Sequence, residues 1–593
     1  QVYHRNRLDE IQRELRETPG TTVMIYDQTC ATEKRRRRKR GKAVDPAHRV
    51  IINEAVCEGC GDCSVQSNCI SVEPLETEFG RKRAINQSTC NKDFSCLRGF
   101  CPSFVTVEGG ELKKKAKGQA GAPSELGELP EPALPALAAG RPWGIVVAGV
   151  GGTGVITIGQ LLGVAAHLEG KGIVTQDAAG LAQKGGATWS HVLIGQTQDD
   201  ILTTRVGTAA ADLILACDPM VAVSGETMAR MREGRTHVAL NSHGSPTAAF
   251  VKNANWENPQ HACAAQLEKL VGEGGLGVFD ADAAARALMG DTIFINPMIL
   301  GYAWQQGWIP LAHETLARAI ELNGVAVKAN LAAFEWGRQA AARPQAFEAY
   351  LARVSGQPGG GAQVIEFRHR ETVDSLVARR VEFLTGYQDA AYARAYQAFV
   401  ERVREVENRV VPGKSSLAEA AARYLFKLMA YKDEYEVARL QADPAFLARI
   451  QSMFEGEMGK DYQLHYHLAP PLTAERNAKG ELQKKEYGPR MLTGFRWLAK
   501  LKGLRGGALD FFGRSEERKT ERELIAQYRA SLEEVLGALT PGNHATAVDI
   551  ARVPEQIKGY GHVKERNLKA ARARWDELMQ AFRKPAAGER VAA

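Results

Sequence analysis

Seven of the ten cysteines fall between Cys57 and Cys101, reading Cys57-x2-Cys60-x2-Cys63-x5-Cys69 and then Cys90-x5-Cys96-x4-Cys101-Pro102. Three thiols at x2-x2 spacing wrap a short loop around one centre, and a remote cysteine followed by proline completes the bacterial ferredoxin pattern. Thiolates are the soft ligands that iron–sulfur clusters require. Disulfides fit poorly, because an odd count in a large chain differs from the small secreted scaffolds they staple. Zinc fits less well too, since its structural sites pair two tight C-x2-4-C knuckles and the later cysteines lack that spacing. In two-cluster ferredoxins each run lends its last cysteine to the other cluster. By that logic Cys57, Cys60, Cys63 and Cys101 hold one four-iron cluster. Cys69, Cys90 and Cys96 remain as three ligands of a possible second, whose fourth is open between Cys30, Asp93 and a residue outside the chain. The x5 and x4 gaps depart from the usual x2 and x3.

A second pattern is Gly149-x-Gly151-Gly152-x-Gly154, at the end of the apolar run Ile145–Val150 and before an apolar helix. Such a turn lets backbone N–H groups approach an anion at a helix N-terminus. Asp177, at the end of the next strand, suits a ribose hydroxyl. Gly149, Gly151, Gly152 and Gly154 are therefore candidate cofactor-binding residues. The plainer alternative is a tight turn with close helix–strand packing.

Other candidates carry less. His465 and His467 stand at i and i+2 without an acidic ligand pattern and read as ordinary histidines. His544 and Tyr560-Gly561-His562 carry no legible chemistry, and no Ser/His/Asp or Cys/His nucleophile arrangement is evident. The net charge of +7 is accounted for by seven consecutive basic residues, Lys34 to Arg40. This is one local patch, so nucleic acid is not an expected partner. It reads as a solvated connector or as a docking surface for a small acidic electron carrier, where opposed charge raises the encounter rate.

The elements that must position these residues follow from length and pattern. A chain of 593 residues suggests about four domains, and 44% hydrophobic with 24% charged residues is ordinary for a folded protein. Trp143 to Ala166 has no charged residue and the length of a membrane span, but its seven glycines mark a strand-to-helix turn. No secretory leader is in view, and no membrane association and a cytoplasmic location are the expectations. Residues 7 to 17 have helical spacing, Pro19-Gly20 ends the helix, and Thr21 to Tyr26 reads as a buried strand. This piece, 1–46, looks like the tail of a larger domain. Residues 47–110 form the cysteine module, and 111–142, with Lys113-Lys114-Lys115 and Pro123, Pro130, Pro132 and Pro135, a semi-extended linker. Residues 143–354 form a Rossmann-like parallel α/β domain, closed by a break at Ser355 to Ala362 that contains Pro358. Residues 363–593 form a mainly helical domain. The fold class expected is multidomain α/β with a ferredoxin-like module.

CEGCGDCSVQSNC followed by NKDFSCLRGFCPSFVTVEGG resembles the iron–sulfur module of the long, fused bacterial indolepyruvate ferredoxin oxidoreductases. VAGVGGTGVITIGQLL, AAGLAQKGGATWSHV and NGVAVKANLAAFEWGR are similar to their γ-type domain. TVMIYDQTCATEKRRRRKRGK resembles the end of their thiamine-diphosphate domain, and SLVARRVEFLTGYQDAAYA and EQIKGYGHVKER their C-terminal region. The resemblance implies oxidative decarboxylation of an arylpyruvate to acyl-CoA and CO2, with electrons passing through 4Fe–4S clusters to ferredoxin and coenzyme A as co-substrate. It carries over Cys57, Cys60, Cys63 and Cys101 as ligands, and Cys69, Cys90 and Cys96 less directly. One departure matters. The family's thiamine site holds magnesium on Gly-Asp-Gly, whereas Gly61-Asp62 is followed here by Cys and Gly290-Asp291 by Thr. The chain thus resembles the electron-transfer and γ portion, with no catalytic residue of its own. Thiamine diphosphate and magnesium would sit on another half, in the same polypeptide or a separate subunit, and the complete enzyme would be a homo-oligomer. Two other classes remain open: a reductase using a dinucleotide at Gly149–Gly154, and a non-catalytic cluster-bearing interaction subunit.

Overall fold

Leu8–Glu17 forms a helix (α1), as its spacing predicts, supported by the i,i+4 pair Asp9–Arg13 at 2.9 Å. The computed structural model describes all residues except 114–121, 180–185, 245–247, 257–258, 356–371, 471–473, 477–479 and 585–593. These fall into two compact units, Gln1–Pro46 and Ala47–Ala593. In the first, the expected strand at Thr21–Tyr26 is instead irregular chain, with Val23 78% and Ile25 86% exposed. A lone extended segment has no ladder to join, so its backbone groups go to water. A second helix, α2 (Ala31–Lys39), carries most of the basic run and has no apolar face to bury.

The second unit begins with the cysteine module. The β-branched run Val50–Ile52 belongs to β1 (His48–Ile52), which pairs antiparallel with β4 (Phe104–Glu108), Ile52 opposite Phe104. Between them lie α3 (Asp62–Ser67), the hairpin of β2 (Val72–Thr77) and β3 (Gly80–Ile85), and a short 3-10 turn at Ser95–Arg98. Two further strands, β11 (Gln463–Leu468) and β12 (Lys485–Tyr487), extend the sheet in the order β1-β4-β11-β12. The C-terminal region therefore completes the sheet of the cysteine module.

The central domain holds a six-stranded sheet. Its strands are β5 (Trp143–Val150), β6 (Gly172–Ala179), β7 (Ala187–Gly195), β8 (Leu213–Ala216), β9 (His237–Asn241) and β10 (Leu276–Phe279). The order is β10-β9-β8-β5-β7-β6. The expectation of a parallel sheet needs correction. β5, β8, β9 and β10 are parallel, but β7 runs antiparallel to both β5 and β6. A parallel crossover needs about a dozen residues or more, and the few between Ala179 and Ala187 allow only a reversal. The charge-free window Trp143–Ala166 is β5, a turn and α4 (Val155–Leu168). Among the described residues no helix is long and apolar enough to cross a membrane.

The segment expected as a linker is bound where described. Leu126 and Leu137 pack on the central core, and the Gln305 side chain donates to the Pro130 carbonyl at 2.9 Å. Lys114 and Lys115, and the break around Pro358, lie outside the described residues. Beyond them the helices Val373–Tyr387, Ala390–Val410, Ser416–Met429, Glu516–Gly537 and Gly561–Arg583 share a separate apolar core that includes Leu376, Tyr396, Leu425 and Trp575.

Candidate metal centre

Of the seven clustered cysteines, Cys57, Cys63 and Cys96 are buried and Cys60, Cys69, Cys90 and Cys101 half-buried. The fold brings them together in two sets. Burial, and then the proximity of Cys101, Cys57 and Cys60, raises the thiol of Cys63; burial, Cys101 and Cys57 raise that of Cys60. Cys57, Cys60, Cys63 and Cys101 therefore lie within electrostatic reach of one another. Cys96 is pushed up to about 12 by burial and then by Cys90, Cys69 and Asp93. Cys69, Cys90 and Cys96 form the second group, with Asp93 beside it and accepting from the Ser95 hydroxyl at 3.0 Å. Cys30 lies in the other unit. Among the described residues no three His, Cys, Asp or Glu side chains are placed to hold a single metal ion.

Local geometry explains the close approach of the loops. Gly59 has φ +66°, and a Cβ there would lie 2.2 Å from the Arg81 carbonyl oxygen. At Gly99 a Cβ would meet Cys63 Cα at 2.7 Å. Asp62 ties the loops together by accepting the Phe100 N–H at 2.7 Å. Two backbone donors reach sulfur: Gly59 N–H to Cys57 Sγ at 3.3 Å and Lys92 N–H to Cys90 Sγ at 3.4 Å. The Cys101 thiol lies 2.9 Å from the Ser103 hydroxyl.

Around the loops stands a jacket of cations and hydrogen bonds that sequence reading missed. Lys432 donates to the Cys57 carbonyl at 3.5 Å and pairs with Glu58. Burial would raise the Glu58 carboxyl, but Lys432, Lys82 and Lys427 prevail and hold it at about 2. Lys484 donates to the carbonyls of Gly99 and of Cys101, the latter at 3.4 Å, with its ammonium 4.6 Å from the Phe104 ring centre. Tyr560 donates to the Val56 carbonyl at 2.6 Å, and the His562 ring lies 4.7 Å from that of Phe100. From the central domain, the buried Arg83 is held by the Ala254 carbonyl at 3.0 Å and the Phe250 ring at 4.3 Å. Lys427, Lys432, Lys484, Tyr560 and His562 lie more than three hundred residues from the cysteines, and no local pattern marks them.

The glycine turn is built otherwise than a dinucleotide fingerprint. Gly149 is the last residue but one of β5, and Gly154, with φ +102°, precedes α4. Gly151 N–H is taken by the Gly186 carbonyl at 2.7 Å, and Thr153 O by the Asn296 side chain at 3.1 Å. Asp177 sits on β6, separated from β5 by β7 and so about 10 Å across the sheet. In a dinucleotide fold the acid lies on the neighbouring strand. The histidines behave as ordinary residues: His467 lies 2.7 Å from the Thr106 hydroxyl, and His465 contacts Glu486 at 2.6 Å and Glu108 at 2.9 Å. His544 lies 2.7 Å from the buried Glu407, which caps the helix Ser416–Met429 by accepting from Leu417 and Ala418.

Residues 144–340 match the pyruvate ferredoxin/flavodoxin oxidoreductase family, and residues 373–577 match a family of unknown function. The central domain is therefore similar to a domain of 2-oxoacid oxidoreductases. Within that stretch its curated relatives are subunits of indolepyruvate oxidoreductases. Subunit IorB of the indolepyruvate oxidoreductase of Methanothermobacter thermautotrophicus is 29% identical over 202 residues, covering 34% of this chain and 98% of the relative. The Pyrococcus horikoshii subunit is 28% identical over 206 residues, 34% of this chain and 96% of its own. Among solved structures, the γ subunit of a keto/oxoacid ferredoxin oxidoreductase from Geobacter sulfurreducens is 21% identical, covering 34% of this chain and 98% of its own, with a TM-score of 0.24. The pyruvate oxidoreductase subunit PORC from Thermotoga maritima is 20% identical, covering 34% and 96%, with a TM-score of 0.25.

Proposed function

We propose that this chain is the electron-transfer and γ portion of an indolepyruvate-type, or other arylpyruvate, ferredoxin oxidoreductase. The enzyme oxidatively decarboxylates the 2-oxo acid to acyl-CoA and CO2 and passes the electrons to ferredoxin or a similar acidic carrier. The supporting observation is that two sets of electrostatically coupled cysteines lie in one compact unit with the domain that matches the oxidoreductase family. The donor set fits a four-iron cluster. Cys57, Cys63 and Cys96 are buried, burial and then neighbouring thiols raise Cys60, Cys63 and Cys96, and backbone N–H groups reach the sulfurs of Cys57 and Cys90. Cys57, Cys60, Cys63 and Cys101 would hold one cluster, and Cys69, Cys90 and Cys96 a second. Bound there, a cluster supplies one-electron storage. Thiamine diphosphate and magnesium belong in this reading to the thiamine-binding half, with coenzyme A as co-substrate, a homo-oligomeric complete enzyme and a cytoplasmic location.

The test is anaerobic purification followed by iron, sulfide and zinc analysis, then electron paramagnetic resonance after dithionite reduction. Iron and sulfide in equal amounts, with a reducible cluster signal, support the proposal. So does arylpyruvate-dependent cluster reduction that appears only when the thiamine-binding half is added. Zinc as the sole metal sinks it. Redox-inert clusters favour an interaction subunit instead. The position of Asp177 on β6 removes one of the supports for a dinucleotide-using reductase.

A further inference from the structure

Two lysines from the region of unknown function reach the cysteine loops, and they do so in different electrical states. Lys432 is 11% exposed and carries its own counter-charge, since it pairs with Glu58. Lys484 hydrogen-bonds to carbonyl oxygens, those of Gly99 and Cys101, and lies over the face of Phe104. Its ammonium is also within electrostatic reach of Cys101, Cys63, Cys96 and Asp62. Cys101 and Cys63 belong to the first thiol set and Cys96 to the second, so Lys484 touches the backbone of the first and lies within electrostatic reach of both. The fold delivers it there. β11 pairs with β4, the strand that follows Cys101, β12 pairs with β11, and Lys484 is the residue immediately before β12.

We propose that the C-terminal region acts as a cationic cap on the cysteine centre, with Lys484 a positioning residue whose charge sets the reduction potential of both thiol-bound clusters. This rests on the reading of the thiols as cluster ligands. Taking up one electron adds one negative charge to a thiolate-bound cluster. A nearby positive charge shielded from water favours that reduced form. Net charge and solvent exposure are the protein's main levers on such potentials. Lys432, already neutralised by Glu58, contributes less. The region's strands thereby have a use that a purely helical appendage would not need.

The experiment is a mediated dithionite titration of the full chain, purified anaerobically, reading each one-electron transition by paramagnetic resonance beside its iron content. Lys484→Met is expected to lower both midpoints, each by about tenfold in the reduction equilibrium, or about 59 mV. Lys484→Arg keeps the charge and is expected to hold both midpoints near the parent. Lys485→Met, one residue on at an exposed pair with Glu475, is expected to change nothing. Should Lys484→Met shed iron, Lys484→Gln retains an N–H donor for the carbonyls and carries the same expectation. Unchanged midpoints in an iron-loaded Lys484→Met or Lys484→Gln chain, or equal shifts in Lys485→Met, overturn the proposal. A parent chain that binds no iron overturns instead the cluster reading on which it rests.

Discussion

The hydroxyl of Tyr560 donates to the carbonyl of Val56 at 2.6 Å, one residue before Cys57, and both groups are buried. Asn53 reaches the other way, donating to the Leu440 carbonyl at 2.9 Å, and Gln441 donates to the Pro102 carbonyl at 2.6 Å. Both ends of the cysteine module are thus pinned by the C-terminal region. The loop that begins at Val56 depends on contacts made about five hundred residues later.

Tyr560→Phe removes one of these pins and leaves a buried carbonyl without a partner, a loss of about 1–3 kcal/mol. The cost falls on local opening of the loop. Amide hydrogen exchange over Val56–Cys63 is expected to quicken about tenfold or more, while exchange in the central sheet stays as it was. Equal protection in the variant would show that the bond does not hold the loop.

Gly59→Ala tests the loop from inside. The added methyl would lie 2.2 Å from the backbone oxygen of Arg81, and the residue keeps a left-handed φ of +66° that costs a β-carbon about 1–2 kcal/mol. Backbone cannot yield as a side-chain tip can, so the hairpin and the Cys57–Cys60 turn must separate. Bound iron per chain is expected to fall well below the parent, with the far-ultraviolet spectrum unchanged. Full loading in the variant would contradict the proposed placement of the first cluster.

His467 gives the chain a pH dependence. Burial, then Lys484 and His465, lowers its imidazole to about 4 against the opposing pull of Glu486. The unfolded chain binds a proton below about 6.5 while the folded chain does not, so stability rises with pH between about 4 and 6.5 and is lost as the solution is acidified. The full effect is roughly 3 kcal/mol at 1.36 kcal/mol per unit. His467→Gln can still hydrogen-bond the Thr106 hydroxyl but does not titrate. Its melting midpoint is expected to fall less steeply than the parent's from pH 6.5 to 4, and parallel curves would refute the assignment.

What could be read in advance was local. α1, the glycine turn joining β5 to α4, and the grouping of the cysteines all rest on residues within a few positions of one another. The reversal at β7 was also within reach, since the gap between β6 and β7 is too short for a crossover. Thr21–Tyr26 failed because an apolar run becomes a strand only where another strand pairs with it. β11 and β12 were hidden inside a helical composition, and the pairing of β11 with β4 spans more than three hundred residues. Lys432, Lys484 and Tyr560 look like any exposed lysine or core tyrosine until the fold sets them against the cysteine loops.

Asp433, the residue after Lys432, anchors that side of the cap. Its carboxylate accepts from Arg505 Nη2 at 2.9 Å and Nε at 2.5 Å, and the Arg505 guanidinium lies 3.8 Å from the Tyr387 ring centre. The same carboxylate caps the helix Glu434–Gln441 through the Glu436 N–H at 2.8 Å. Both partners are almost fully buried, at 4% and 3% exposure, so removing one strands the other's charge. Asp433→Ala is expected to cost about 3–5 kcal/mol, seen as a large fall in the urea midpoint. Asp433→Asn keeps the cap and loses less. If stranded charge is the cause, replacing Arg505 by Met in the Asp433→Leu background should recover much of the loss, because apolar residues of similar volume can take the place of a buried pair. No recovery in the double variant would assign the cost to the lost cap and packing instead. In the single variant Lys432 also loses its neighbour's anchor, and hydrogen exchange at Cys57 and Glu58 should quicken with it.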